Sequence, residues 1–76
     1  MSPDVLTRLT PREHEVLERI ALGRSNAFIA NDLVVSPKTL DRHIANVYAK
    51  LGLPADERGT HRRVAAAVAF WTLRRR

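Results

Sequence analysis

The chain has 76 residues and no cysteine, so one domain is expected, held by packed apolar side chains rather than by disulfides or a thiolate metal site. Thirteen Lys and Arg against eight Asp and Glu leave a formal net charge of +5, which suits a polyanionic partner. No apolar run approaches the ~20 residues of a bilayer span, and the N-terminus lacks the basic, apolar and small-residue order of a signal peptide.

Residues 1–8 carry Pro3 and isolated Val5 and Leu6 without a period, and read as a flexible lead-in to a domain over 9–76. The first helix is expected over about 11–22. Thr10 can cap it, Pro11 suits the first helical position, and Glu13, three residues after Thr10, completes a capping box. Val16, Leu17, Ile20 and Ala21 form its apolar face, and Gly23 can stop it in the left-handed conformation.

Ser25 is the next cap, and Ile29, Ala30 and Leu33 define a short second helix over 26–33. Val34 and Val35 interrupt it. Ser36 caps a third helix over about 37–51, with Pro37 at its first position and Leu40, Ile44, Val47 and Leu51 as its apolar stripe, until Gly52 ends it. Two helices joined by so short a turn, the second capped by serine, form a helix-turn-helix pattern. Pro54 to Gly59 reads as a polar loop, and an alanine-rich fourth helix is expected over about 60–74. The fold class is therefore all-α, with four helices.

Charge is unevenly spread along these elements. Residues 1–35 hold four arginines against five acids, whereas residues 36–76 hold nine bases against three, so the anion-facing surface belongs to the second half. On the third helix, an advance of 100° per residue gathers Lys38, Arg42, Ala45, Asn46 and Ala49 opposite the apolar stripe. Two alanines there let the backbone enter a groove roughly 12 Å wide while polar neighbours reach outward. Arg42 is best placed to read a base, because its planar fork matches guanine O6 and N7. Asn46 suits adenine or phosphate. Lys50, at the helix end, and the N–H groups near Pro37 and Lys38 suit phosphate.

These residues together resemble the LuxR-type (GerE-like) helix-turn-helix domain of bacterial transcriptional regulators. The resemblance runs through Leu9-Thr10-Pro11-Arg12-Glu13, Glu15-Val16-Leu17, Gly23, Ser25-Asn26, Ile29-Ala30, Leu33, Ser36, Thr39, His43, Asn46 and Lys50-Leu51-Gly52, covering about residues 9–53. It implies the output domain of a regulator, binding double-stranded DNA as a dimer with the third helix in the major groove, in the cytoplasm, and with RNA polymerase as a further candidate partner. Arg42, Ala45 and Asp41 fall at positions that resemble the family's base-facing sites, with Asn46 beside them. Ser36, Lys38, Thr39 and Lys50 are the expected phosphate contacts on the helix-turn-helix, and one or more of Arg58, Arg62 and Arg63 adds another.

Three departures from the pattern stand out. Phe28 replaces a glutamate, so the second helix loses a capping carboxylate and gains an aromatic ring without an obvious partner. Asp41 replaces a lysine, repels phosphate and can accept a hydrogen bond from cytosine N4. The connection from Pro54 to Arg62 is longer than usual. His43, on the flank of the apolar stripe, reads better as a partly buried, hydrogen-bonded residue than as a DNA contact.

On the last helix Val64, Ala67, Val68 and Trp71 form a stripe expected to close the core. Ala66, Phe70 and Leu73 point the other way, and are expected to form a weak homodimer contact. Catalysis is not expected: His14, His43 and His61 lie on different segments, and neither a nucleophile motif nor a glycine-rich phosphate loop is present. No cofactor or metal is implied. The alternatives are a helix-turn-helix converted to a protein-interaction module, and a sigma-factor promoter-binding domain, whose opening Leu-Thr-Pro-Arg-Glu phrase is similar but which usually ends near the recognition helix.

Overall fold

Three serine or threonine caps divide the chain into its helices, as the local chemistry requires. In the computed structural model, which describes residues 3–53 and 60–74, α1 spans Pro11–Ala21, α2 Asn26–Leu33, α3 Pro37–Lys50 and α4 Thr60–Arg74. Among the described residues there is no strand. Thr10 Oγ1 accepts from the Glu13 N–H at 3.1 Å and Glu13 Oε1 accepts from the Thr10 N–H at 2.9 Å, so the capping box forms in both directions. Gly23 leaves α1 with φ 80°, a conformation that costs glycine little.

The segment 3–8, expected as a lead-in without regular structure, is a short 3-10 helix over Pro3–Arg8. Leu6 is half-buried and packs on the core, and the segment rests against α4. The expected loop over Pro54–Gly59 and the candidate phosphate contact Arg58 lie outside the described residues.

Val16, Leu17, Ile29, Leu40, Val47 and Phe70 are almost fully buried and come from all four helices. The stripes expected on α1, α2 and α3 face inward, and Tyr48 joins them at 6% exposure. Burying each such side chain stabilises the fold by roughly 1.5–3 kcal/mol before the entropy of ordering is counted.

The α4 assignment requires correction. Ala66, Phe70 and Leu73, expected at a subunit interface, are buried within the domain, whereas Val64, Val68 and Trp71, expected in the core, are 58%, 59% and 44% exposed. Both stripes are apolar at helical spacing, so periodicity could not rank them. The three-dimensional packing does. With Ala66 and Phe70 inward, small residues let α4 approach α1, and the Phe70 ring meets the His14 ring edge-on at 5.9 Å. The same rotation carries Arg62 onto Tyr48 and Arg63 to the start of α2. Trp71 lies across the end of α1, its Nε1–H donating to the Ala21 carbonyl at 3.0 Å. No described helix is long and apolar enough to cross a membrane.

Candidate nucleic-acid interface

The turn between α2 and α3 is built from Val34 and Val35. Val34 adopts φ 56°, ψ 51°, reversing the chain after α2, while half-buried Val35 packs on the core. Ser36 then starts α3: its Oγ accepts from the Thr39 N–H at 3.1 Å and donates to Thr39 Oγ1 at 2.9 Å. The Ser36 hydroxyl is thus committed to the cap. The Thr39 hydroxyl, having accepted that bond, keeps its own proton available for an acceptor outside the domain.

With Leu40, Ile44, Val47 and Tyr48 anchored in the core, the opposite side of α3 is presented outward. Lys38, Asp41, Arg42, Ala45, Asn46 and Ala49 are all exposed. Among the described residues, none of the side chains of Lys38, Asp41, Arg42 and Asn46 has a hydrogen-bond or ion-pair partner, so three polar donors and one carboxylate surround two alanines. His43 is half-buried, as expected, but makes no hydrogen bond among the described residues.

Other expected phosphate contacts have internal partners. Lys50 Nζ lies 2.6 Å from Glu13 Oε1, and the Glu13 side chain is only 5% exposed. Burial tends to raise the Glu13 carboxyl, but the Lys50 hydrogen bond, the Thr10 N–H and the Lys50 charge outweigh it and hold the carboxyl below its ordinary value. Lys50, expected as a phosphate contact, thus has an internal partner as well, which ties the end of α3 to the cap of α1. Local spacing gives no sign of the pair, because 37 positions separate the two residues.

Arg63 donates to Asn26 Oδ1 at 2.7 Å and to the Arg24 carbonyl at 2.6 Å, bracing the start of α2. Arg62 stacks over the Tyr48 ring at 4.9 Å with its Nε buried and unbonded. Both arginines retain N–H groups beyond these contacts, at the edge of α3 and α2. Phe28 does have a partner: the Arg24 guanidinium lies 5.1 Å from its ring centroid. The pairing of Arg24 with Phe28 was missed from sequence, although their spacing of four across the Ser25 cap was the available signal. Asn26, Ala27, Ala30, Pro37, Leu40 and Asp41 line a groove of about 200 Å³ between α2 and α3. Among the described residues no group of three or more His, Cys, Asp or Glu side chains could hold a metal ion.

Comparison with known proteins places the chain in a family. The family model described as "Bacterial regulatory proteins, luxR family" matches residues 7–69. The chain is 51% identical over 47 residues to a protein described as an HTH-type transcriptional regulator from Mycobacterium tuberculosis, a match covering 62% of this chain and 5% of that protein. It is 44% identical over 66 residues to a nitrate/nitrite response regulator protein homolog from Haemophilus influenzae, covering 87% of this chain and 28% of that protein. The transcriptional regulatory protein UhpA of Salmonella typhimurium is 37% identical over 70 residues, with 82% of this chain and 36% of UhpA covered. The chain therefore spans a small part of the curated relatives it matches. No solved structure gives a significant match.

Proposed function

The chain belongs to the luxR family of bacterial regulatory proteins, and from that premise we propose that it is the sequence-specific DNA-binding output domain of a transcriptional regulator, with α3 in the major groove. The observation that carries this reading is the outward side of α3, where Lys38, Arg42 and Asn46 are exposed and, among the described residues, unpartnered around Ala45 and Ala49. Arg42 reads guanine through its fork, Asn46 and Asp41 face neighbouring base edges, and Ala45 keeps the surface low. Lys38, the Thr39 hydroxyl and the free N–H groups of Arg62 and Arg63 hold phosphates and set the register, while Ser36 and Lys50 position α3 from within. The domain acts in the cytoplasm, where its target lies.

The domain pairs weakly with a second copy through α4. The surface for this is the stripe of exposed Val64, Val68 and Trp71 with half-buried Ala67 between them, because the stripe of Phe70 and Leu73 is used by the core.

Binding to a selected duplex at increasing salt tests the proposal. The logarithm of the affinity should fall by ~0.9 per phosphate contacted for each decade of salt. Arg42→Ala should cost ~1–3 kcal/mol on that duplex and relax discrimination at one base pair. Equal weakening on every sequence would show that Arg42 holds only phosphate. Affinity insensitive to salt would favour a helix-turn-helix that binds protein instead.

A further inference from the structure

A carboxylate on a surface meant for a polyanion needs a reason. Asp41 is exposed on the second turn of α3, lies between Lys38 and Arg42 in the chain, and lines the groove that separates α2 from α3. Two cations are close in sequence, yet among the described residues Asp41 makes no ion pair and no hydrogen bond. It neither caps its own helix, a role filled by Ser36, nor braces another, as Glu13 and Asp32 do on Lys50 and Arg19. Its acceptor oxygens are unused among the described residues. An ionised carboxylate is acceptor-only. In the major groove it matches the amino groups of cytosine N4 and adenine N6, and is repelled by the acceptors guanine O6 and N7 and thymine O4.

We propose that Asp41 determines operator specificity by requiring an amino-bearing base, cytosine in the first instance, at the position it faces, a role that rests on the DNA-binding reading above. Cytosine is favoured because the side of its edge next to N4 carries no competing acceptor, whereas adenine presents N7 beside its amino group. Asp41 also works by exclusion. Its charge opposes the phosphates of every duplex, so DNA without the matching amino group is held less well, and specificity rises at the expense of general affinity. Arg42 stands one residue further on, about 100° around the helix and 1.5 Å along it, so the two read different base edges with opposite donor and acceptor demands.

The test is selection from a random duplex pool by the 76-residue chain and by its Asp41→Asn and Asp41→Ala variants, with melting temperatures measured in parallel. The unaltered chain should enrich a motif containing one column of cytosine, or of adenine, preferred about five- to a hundred-fold over guanine and thymine. Both variants should keep the remaining columns and bind unrelated DNA more tightly than the unaltered chain; Asp41→Ala should lose the discrimination of that column, and Asp41→Asn, whose amide both donates and accepts, should lose any cytosine preference there in favour of adenine. Because Asp41 is exposed and unpartnered, both should melt as the unaltered chain does. Unchanged columns in both variants would overturn the role of Asp41 while leaving DNA binding intact. Enrichment of no motif by the unaltered chain would overturn the DNA-binding reading itself, and this inference with it.

Discussion

Val34 ends α2 in the left-handed region at φ 56° and ψ 51°, with 88% of its surface exposed. A β-branched side chain reaches that conformation against a steric penalty of roughly 1–2 kcal/mol, and so exposed a side chain recovers little by burial. Asparagine tolerates the same backbone through local hydrogen bonding. Val34→Asn should therefore stabilise the domain by about 0.5–1 kcal/mol, which for this length raises the melting temperature by several degrees. A lower melting temperature would show that the valine is held by interactions outweighing its strain. The serine and threonine caps at Thr10, Ser25 and Ser36 were legible one residue at a time, because a cap joins side chain and backbone only three positions apart. The left-handed valine was not: valine carries no turn signal, and the short path from α2 to α3 imposes its conformation.

Between elements, the pair of Glu13 and Lys50 joins the start of α1 to the end of α3. Because the Glu13 carboxyl titrates lower in the folded chain than in the unfolded one, its contribution is fully present above the unfolded value of ~4.3 and is lost as pH falls through the lower folded value. Acid should thus destabilise the domain below about pH 4. Lys50→Met removes the hydrogen bond and the charge of Lys50 that help to lower the carboxyl, leaving the Thr10 hydrogen bonds alone to oppose burial. That variant should lose about 2 kcal/mol near neutrality, and its acid unfolding should begin at higher pH, as followed by circular dichroism. Coincident acid transitions in the two proteins would mean that the pair does not set the acid limit. Helix bounds and inward faces of α1, α2 and α3 were readable from local spacing, since each carries a single apolar stripe. The link between Glu13 and Lys50 depends on how α1 crosses α3, which no local pattern records.

For the whole molecule the decisive feature is the rotation of α4. Phe70 is 1% exposed, so Phe70→Glu places a charge in the core and should cost at least about 4 kcal/mol, enough to unfold much of a marginally stable domain. Val68 is 59% exposed, so Val68→Glu should stay folded and reduce self-association in sedimentation at high concentration. If Phe70→Glu were folded and monomeric while Val68→Glu still associated, the two faces of α4 would have to be exchanged. The same rotation turns Arg62 and Arg63 from general members of a basic half into groups held over Tyr48 and at the start of α2. Net charge pointed to a polyanion, and the folded chain determines which cations remain free to meet it.

The sequence alone determined the four helices, the caps of the first three, and the outward set of Lys38, Arg42, Ala45, Asn46 and Ala49, because each rests on side chains within a few turns of one another. Tertiary structure alone decided which of two equally apolar stripes of α4 is buried. It also decided that Lys50 serves Glu13, and that Phe28 lies under Arg24. Those outcomes depend on the relative placement of chain segments, and periodicity describes one helix at a time. The outward side of the third helix was legible because that helix has one apolar face; the partners of its charged residues were not, because a charge carries no record of which distant group will neutralise it.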